Sequence, residues 1–183
     1  MIGILIVLIL LLAFYSGNRR GTALQLVYSG GFFIAFLIAK KYYEQLGEKI
    51  SLYVPYLSVS PDTKMVFFTQ EKSFDLDKSF YAGLSFIGIL MFVYLITKFI
   101  GILASALRYQ QLIPSVDGIV AGVMNLVIAY VWIFLLFKLL TLIPIDSIQN
   151  LFEVGSIPRF IIEKSPFLAD YFEKIWITQL IGS

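Results

Sequence analysis

Side chains that could carry out chemistry are scarce in this sequence. The chain of 183 residues contains no cysteine and no histidine, whereas zinc sites and acid–base catalysis usually recruit His, Cys or paired carboxylates. The acidic residues lie outside the long apolar runs, except for Asp117 at the edge of one. No recognisable base accompanies the serines near the ends of these runs, Ser16, Ser29, Ser105 and Ser115. The sequence therefore predicts a protein that is not an enzyme and that holds no metal or cofactor.

A few polar side chains interrupt the apolar runs and could line a path through a membrane. They are Gln25, Thr97, Lys98, Ser105, Asn125 and Lys138. An ionisable residue inside a membrane helix is a functional candidate by default. Both lysines, however, fall about one membrane thickness along their runs, so we expect them to snorkel to the interface. A subunit of an oligomeric channel or small-solute transporter is therefore the alternative function.

The composition indicates a membrane protein. The chain is 59% hydrophobic and 14% charged, with a mean hydropathy of +0.87, whereas soluble domains are about 45–50% apolar and about 25% charged. The net charge is only +2, and no basic run exceeds two residues, so nucleic acid is not an expected partner.

The apolar runs predict an all-α membrane protein, a bundle of about four transmembrane helices. A helix needs roughly 20 residues to cross the hydrocarbon core. The predicted spans are 1–17, 22–39, 80–107 and 116–143, which form a transmembrane domain, 1–143, with a non-membrane loop at 40–79. The first run is short enough to be a signal peptide, but its arginines follow the apolar residues instead of preceding them. We therefore interpret it as a retained helix.

The long loop and the C-terminal tail, 144–183, are predicted to carry short amphipathic helices. Helical spacing continues beyond residue 39 until Pro55, and Pro144, Gly155, Pro158 and Pro166 divide the tail. The clearest tail helix is expected to start with Ser165 as N-cap and Pro166 at its first position. Its apolar face is predicted to comprise Phe167, Leu168, Tyr171, Phe172, Ile175 and Trp176. This face could lie among lipid headgroups or pack on the protein's own loops, and both alternatives stay open.

Small residues at four-residue spacing predict close contacts between helices, because association within lipid depends on close packing. The predicted packing positions are Gly31, Ala35, Ala39, Gly101, Ser105, Gly118, Gly122, Asn125 and Ala129. The amide of Asn125 is expected to donate a hydrogen bond to a neighbouring helix.

Three arginines in short connections are predicted to anchor the topology. Arg19 and Arg20 lie between flexible glycines in the first connection, and Arg108 lies in the connection before the fourth run. Lys and Arg in short loops favour the inside of the membrane, which predicts that both termini are outside. The loop 40–79 opposes this assignment with six lysines, which six acidic residues accompany.

The chain resembles the colicin V production (CvpA) family of bacterial membrane proteins. The resemblance is carried by "RRGTALQLVYSGGFFIAFLIAKKYY" from Arg19 and "LIPSVDGIVAGVMNLVIAYVWIFLLFKLL" from Leu112. The stretches "PIDSIQNLF" and "KSPFLADYF" are similar to tails of Gram-positive members. The resemblance implies a protein of the bacterial cytoplasmic membrane, linked to toxin or bacteriocin production and export and to envelope integrity, with no established catalytic residue.

These observations favour a membrane accessory or assembly protein. Such a protein needs a stable bundle, a docking surface and an exposed amphipathic rim. Its expected partners are the lipid bilayer and another membrane or secretion protein, and it could also form a homo-oligomer.

Overall fold

The computed structural model describes residues 2–57, 65–69, 73 and 75–181. Met1, residues 58–64, 70–72 and 74 of the predicted loop 40–79, and residues 182–183 of the predicted tail lie outside the described residues. Within the described ranges the chain forms helices and turns and no strands. The predicted all-α membrane fold is confirmed.

Four apolar helices form the bulk of the protein. They are α1 (Ile2–Asn18), α2 (Thr22–Ile50), α3 (Leu76–Leu103) and α4 (Asp117–Leu140). Among the described residues, α2, α3 and α4 are the three helices long and apolar enough to cross a membrane, and α1 is a shorter apolar helix. The predicted count of about four helices therefore matches, with three long helices and one short one.

The helix boundaries follow the local sequence. Gly21 has φ +77°, a left-handed conformation that glycine adopts without strain, and it closes the turn between α1 and α2. Asp77 lies in the first turn of α3 and Asp117 in the first turn of α4. A carboxylate at this position is stabilised by the positive end of the helix dipole. Helix α2 continues without a break to Ile50, as the spacing beyond residue 39 predicted.

The tail folds into short helices, as predicted from its punctuation. They are α5 (Asp146–Gln149), a 3₁₀ turn (Asn150–Phe152), α6 (Ile157–Lys164), α7 (Leu168–Glu173), a π-helical turn (Lys174–Thr178) and α8 (Gln179–Ile181). The N-cap of α6 is Ser156, whose Oγ accepts a hydrogen bond from the backbone N–H of Arg159 at 3.3 Å.

The predicted start of the tail helix was wrong. Ser165 ends α6 instead of capping α7, because its buried hydroxyl donates a hydrogen bond to the carbonyl of Ile161 in the preceding turn. Pro166 lies in the turn between the two helices. The residue before α7 is Phe167, which has a φ of +63° and makes no side-chain capping hydrogen bond.

The chain divides into two compact units. The first comprises Gly3–Lys40 and Gly88–Ile133, and the second comprises Lys41–Ile87 and the chain from Phe134 onward. Each unit thus contains parts of α2, α3 and α4, and the tail belongs to the second unit together with those parts.

Candidate functional site

Asn125 is the centre of a polar network in the first unit. Its Nδ2 donates to the backbone carbonyl of Ala13 in α1 at 2.6 Å. Its Oδ1 accepts from Nε2 of Gln25 in α2 and from Nη1 of Arg20, each at 3.4 Å. Gln25 is fully buried and Asn125 nearly so. One side chain of α4 therefore holds α1, the start of α2 and an arginine.

Asp117, at the start of α4, accepts hydrogen bonds from Thr22 at the start of α2. Its Oδ2 accepts from the backbone N–H of Thr22 at 2.9 Å, and its backbone carbonyl accepts from the Thr22 hydroxyl at 2.7 Å. Its Oδ1 accepts from the backbone N–H of Leu112 at 3.0 Å and of Ile113 at 3.4 Å. The carboxylate thus satisfies N–H groups that a helix start leaves without partners.

The small residues of the first unit bring backbones close to neighbouring side chains. A methyl group added at Gly122 would lie 2.7 Å from Cε2 of Phe14. Methyl groups added at Gly31, Gly101 and Gly118 would overlap side-chain atoms of Thr97, Tyr28 and Asn18 respectively. Ala35 and Ala39 are fully buried, Ala129 is half-buried, and Ser105 is exposed in the 3₁₀ turn Ser105–Tyr109.

The three arginines have different environments. Arg19 and Arg108 are exposed, and Arg19 donates to the hydroxyl of Tyr15 at 3.4 Å. Arg20 is half-buried, and its Cζ lies 4.9 Å from the ring centroid of Tyr28. Arg20 therefore contributes to packing inside the first unit, a role that the sequence did not reveal.

Lys98 lies among aromatic rings of the first unit. Its Nζ is 4.3 Å from the ring centroid of Tyr28 and 4.6 Å from that of Tyr94. The ring of Tyr94 in turn packs at 5.5 Å against Phe32. A cation over an aromatic face is attracted by the quadrupole of the ring, so these tyrosines stabilise the half-buried ammonium.

The second unit is built around the tail. Phe172 and Trp176 are fully buried, and Ile175 is nearly so. The two aromatic rings pack against each other at a centroid separation of 5.0 Å. They also pack against the rings of two long-helix residues, Phe86 and Phe134, at 5.4–5.7 Å. Of the predicted apolar face, Leu168 and Tyr171 are half-buried, and Phe167 is 88% exposed. Part of the tail is thus core, covered by the protein's own long helices instead of its loops.

An ion pair joins the tail to α4 in the second unit. Nζ of Lys138 lies 2.5 Å from Oε2 of Glu173, with the lysine side chain 6% exposed and the glutamate side chain 49% exposed. Lys138 was predicted to snorkel to the interface, but the structure gives its charge a carboxylate partner. A spacing argument alone could not find this pair, because its two members are 35 positions apart.

Two tyrosine hydroxyls hold the segment after α2 within the second unit. Tyr56 donates to the carbonyl of Leu142 at 2.7 Å, and Tyr81 donates to that of Val54 at 2.6 Å. Burial, with a smaller contribution from the Asp77 charge, raises the pKa of Tyr56 to about 12. The hydroxyl therefore stays protonated and keeps donating at physiological pH.

Most polar side chains of the apolar helices contact other groups of the protein. The described residues contain no group of three or more acidic, His or Cys side chains that could hold a metal ion. Of the polar residues that could have lined a path, Gln25 and Asn125 bond each other, and Thr97 bonds the carbonyl of Val93. Lys138 lies in the second unit, in the pair with Glu173.

Comparisons with known proteins give the chain a family context. A family model described as Colicin V production protein matches residues 2–175. The chain is also 22% identical to "Uncharacterized transmembrane protein YshB" of Bacillus subtilis (strain 168), over 96% of this chain and 97% of that protein. No solved structure matches the chain.

Proposed function

This chain belongs to the Colicin V production protein family, and on that premise we propose that it is an accessory or assembly protein of the bacterial cytoplasmic membrane. Its role is in toxin or bacteriocin production and export and in envelope integrity. It acts by holding another membrane or secretion protein in place, and it performs no chemical step itself.

The observation that supports this proposal is that Asn125 and Asp117 are hydrogen-bonded to other groups of the protein. In the first unit, both ends of the Asn125 amide are bonded, and three N–H groups occupy the Asp117 carboxylate. A pore needs polar groups that remain free to contact a passing ion or solute. Groups that bond to each other instead stiffen a bundle, which is what an assembly protein requires.

The proposal includes an orientation. The connections that contain Arg19, Arg20 and Arg108 face the cytoplasm, and both termini face outward. The positive charge of these short connections supports this orientation, and the lysines of the long loop are accompanied by as many acids.

Export and flux measurements test the proposal together. In a bacteriocin-producing host, deletion of the gene is expected to lower the bacteriocin in the medium and to raise sensitivity to detergent, and the intact gene is expected to restore both. The purified chain in phosphatidylcholine vesicles is expected to pass no more ions or small solutes than empty vesicles. Unchanged export and detergent sensitivity after deletion would contradict the proposal. Flux that is lost in Lys98→Ala or Asn125→Leu would replace it with the channel alternative.

A further inference from the structure

Two cations of the first unit converge on a single aromatic ring. The guanidinium of Arg20 lies 4.9 Å from the ring centroid of Tyr28, and the ammonium of Lys98 lies 4.3 Å from the same centroid. The two residues come from different parts of the chain, the connection before α2 and the last turns of α3. Two like charges around one ring repel each other, so this arrangement needs a reason.

Packing fixes the ring that lies near both cations. Tyr28 is buried, and its ring lies over Gly101 of α3 so closely that any side chain there would overlap it. Tyr94, the second ring near the ammonium, is also buried, and its ring is tilted against that of Trp132 at a centroid separation of 6.4 Å. The helix packing of the first unit therefore fixes the two rings beside which the charges lie.

Neither cation has an acidic partner among the described residues. The ion pairs within those residues are Lys138–Glu173 and Arg159–Glu163. Asp117, an acid of the first unit, accepts N–H groups with both oxygens. Arg20 gives one N–H to Asn125 and keeps further donors, and an ammonium has three donors. Two half-buried charges with free donors in an apolar surrounding are costly unless an anion joins them.

We propose that Arg20 and Lys98 together bind a phosphate group, either in the headgroup of an anionic lipid or as free phosphate. The guanidinium fork matches the geometry of phosphate oxygens, and a lysine ammonium binds them as a point charge. Arg20 lies in the turn before α2 and Lys98 in the last turns of α3, near the edge of the hydrocarbon core, where lipid phosphates begin. Basic pockets between transmembrane helices are known to bind such headgroups.

Lipid retention and thermal stabilisation test the site in the full-length chain. The protein is placed in nanodiscs of phosphatidylcholine, with or without one part of phosphatidylglycerol in about five, and the phosphatidylglycerol retained after extraction is measured by native mass spectrometry. In a second arm, inorganic phosphate is added to the phosphatidylcholine nanodiscs and the Tm is measured, with equal ionic strength of chloride as reference. Arg20→Gln and Lys98→Met remove one charge each, and Arg108→Gln removes an exposed charge elsewhere as the matched control.

We expect the parent and Arg108→Gln to retain phosphatidylglycerol, and each site variant to lose about tenfold in affinity. A rise of the parent Tm with phosphate alone, absent in both site variants, would identify free phosphate as the ligand instead. Because Arg20→Gln also removes a bond to Asn125, Lys98→Arg serves as a second variant, and it should keep binding because it keeps the charge. No preference for either probe in the parent, or an equal loss in Arg108→Gln, would overturn the proposal.

Discussion

Nδ2 of Asn125 and the backbone carbonyl oxygen of Ala13 are 2.6 Å apart, and this contact ties α4 to α1 within the first unit. The carbonyl belongs to a helix that already uses it internally, so the amide adds a second hydrogen bond. The stability of the first unit should therefore depend in part on this one polar side chain.

Replacing Asn125 with leucine should lower the free energy of unfolding by about 1–2 kcal/mol, because an interhelical hydrogen bond is lost. The fully buried Gln25 amide also loses one of its two acceptors and keeps only the Ser29 hydroxyl. Thermal unfolding in detergent measures the effect. Val127→Leu is the control on the same helix, since Val127 is 54% exposed and should tolerate the change. Equal Tm values for the two variants would contradict the role of the amide.

Adjacent glycines of α2 should respond to alanine with opposite signs. A methyl group at Gly31 would lie 2.7 Å from Cβ of Thr97, whereas nothing lies within 4 Å of one at Gly30. Gly31→Ala should therefore destabilise the protein by about 1–3 kcal/mol through overpacking. Gly30→Ala should stabilise it by up to about 1 kcal/mol through helix propensity. Melting curves of the two variants, recorded in the same detergent, measure both effects. A Tm that falls for Gly30→Ala but not for Gly31→Ala would contradict the prediction.

Trp176 and Phe167 provide a matched pair of tail aromatics. Trp176 is fully buried against Phe86 and Phe172, and Phe167 is 88% exposed. Trp176→Ala should cost on the order of 3 kcal/mol because it leaves a cavity, whereas Phe167→Ala should change stability by less than about 0.5 kcal/mol. Truncation after Ser165 should likewise lower the Tm and expose the loop 40–79 to protease. A truncated chain as stable as the parent would show that the tail is not part of the core.

The Lys138–Glu173 pair should be worth more than the surface pair Arg159–Glu163. Glu173→Gln leaves a lysine side chain that is 6% exposed without its counter-charge, which should cost about 1–2 kcal/mol. Glu163→Gln removes an i,i+4 partner on a short helix and should cost about 0.3–0.5 kcal/mol. In a double-mutant cycle, adding Lys138→Met to Glu173→Gln should recover part of the loss, and a further loss of the same size would refute the pairing.

Cysteine labelling in intact cells tests the orientation. Tyr109 is 85% exposed in the connection that contains Arg108, and Val154 is 89% exposed in the tail. With the arginines inside, a cysteine replacing Val154 should react with an impermeant thiol reagent, and one replacing Tyr109 should react only after permeabilisation. The reverse pattern would invert the proposed orientation.

The long helices were predictable from the sequence because a helix that spans a membrane needs a long, continuous run of apolar residues. The four-residue spacing also selected Gly31, which lies against Thr97, rather than its neighbour Gly30, which faces open space. Small residues spaced four positions apart mark the helix face that can approach another helix closely. This feature can be read from a short stretch of sequence.

The contacts that depend on distant residues were not predictable in the same way. The sequence placed Asp117 at the edge of an apolar run but gave no sign of its partner. Its carboxylate accepts a hydrogen bond from the backbone N–H of Thr22, 95 positions away. Ser165 has the features of an N-cap, but a carbonyl of the preceding helix is nearer to its hydroxyl. The apolar face predicted for the tail indicated that lipid or protein must cover it, but not which residues do so. Only the fold identifies Phe86 and Phe134 as that cover.

The order of Phe86, Phe134 and Trp176 along the chain has a consequence for biogenesis. Because a chain is synthesised from its N-terminus, Phe86 and Phe134 are made before Phe172 and Trp176, the tail rings that pack against them. The aromatic core of the second unit therefore stays incomplete until the ribosome has passed Trp176. Until then, the two long-helix rings must be covered by lipid or by another protein.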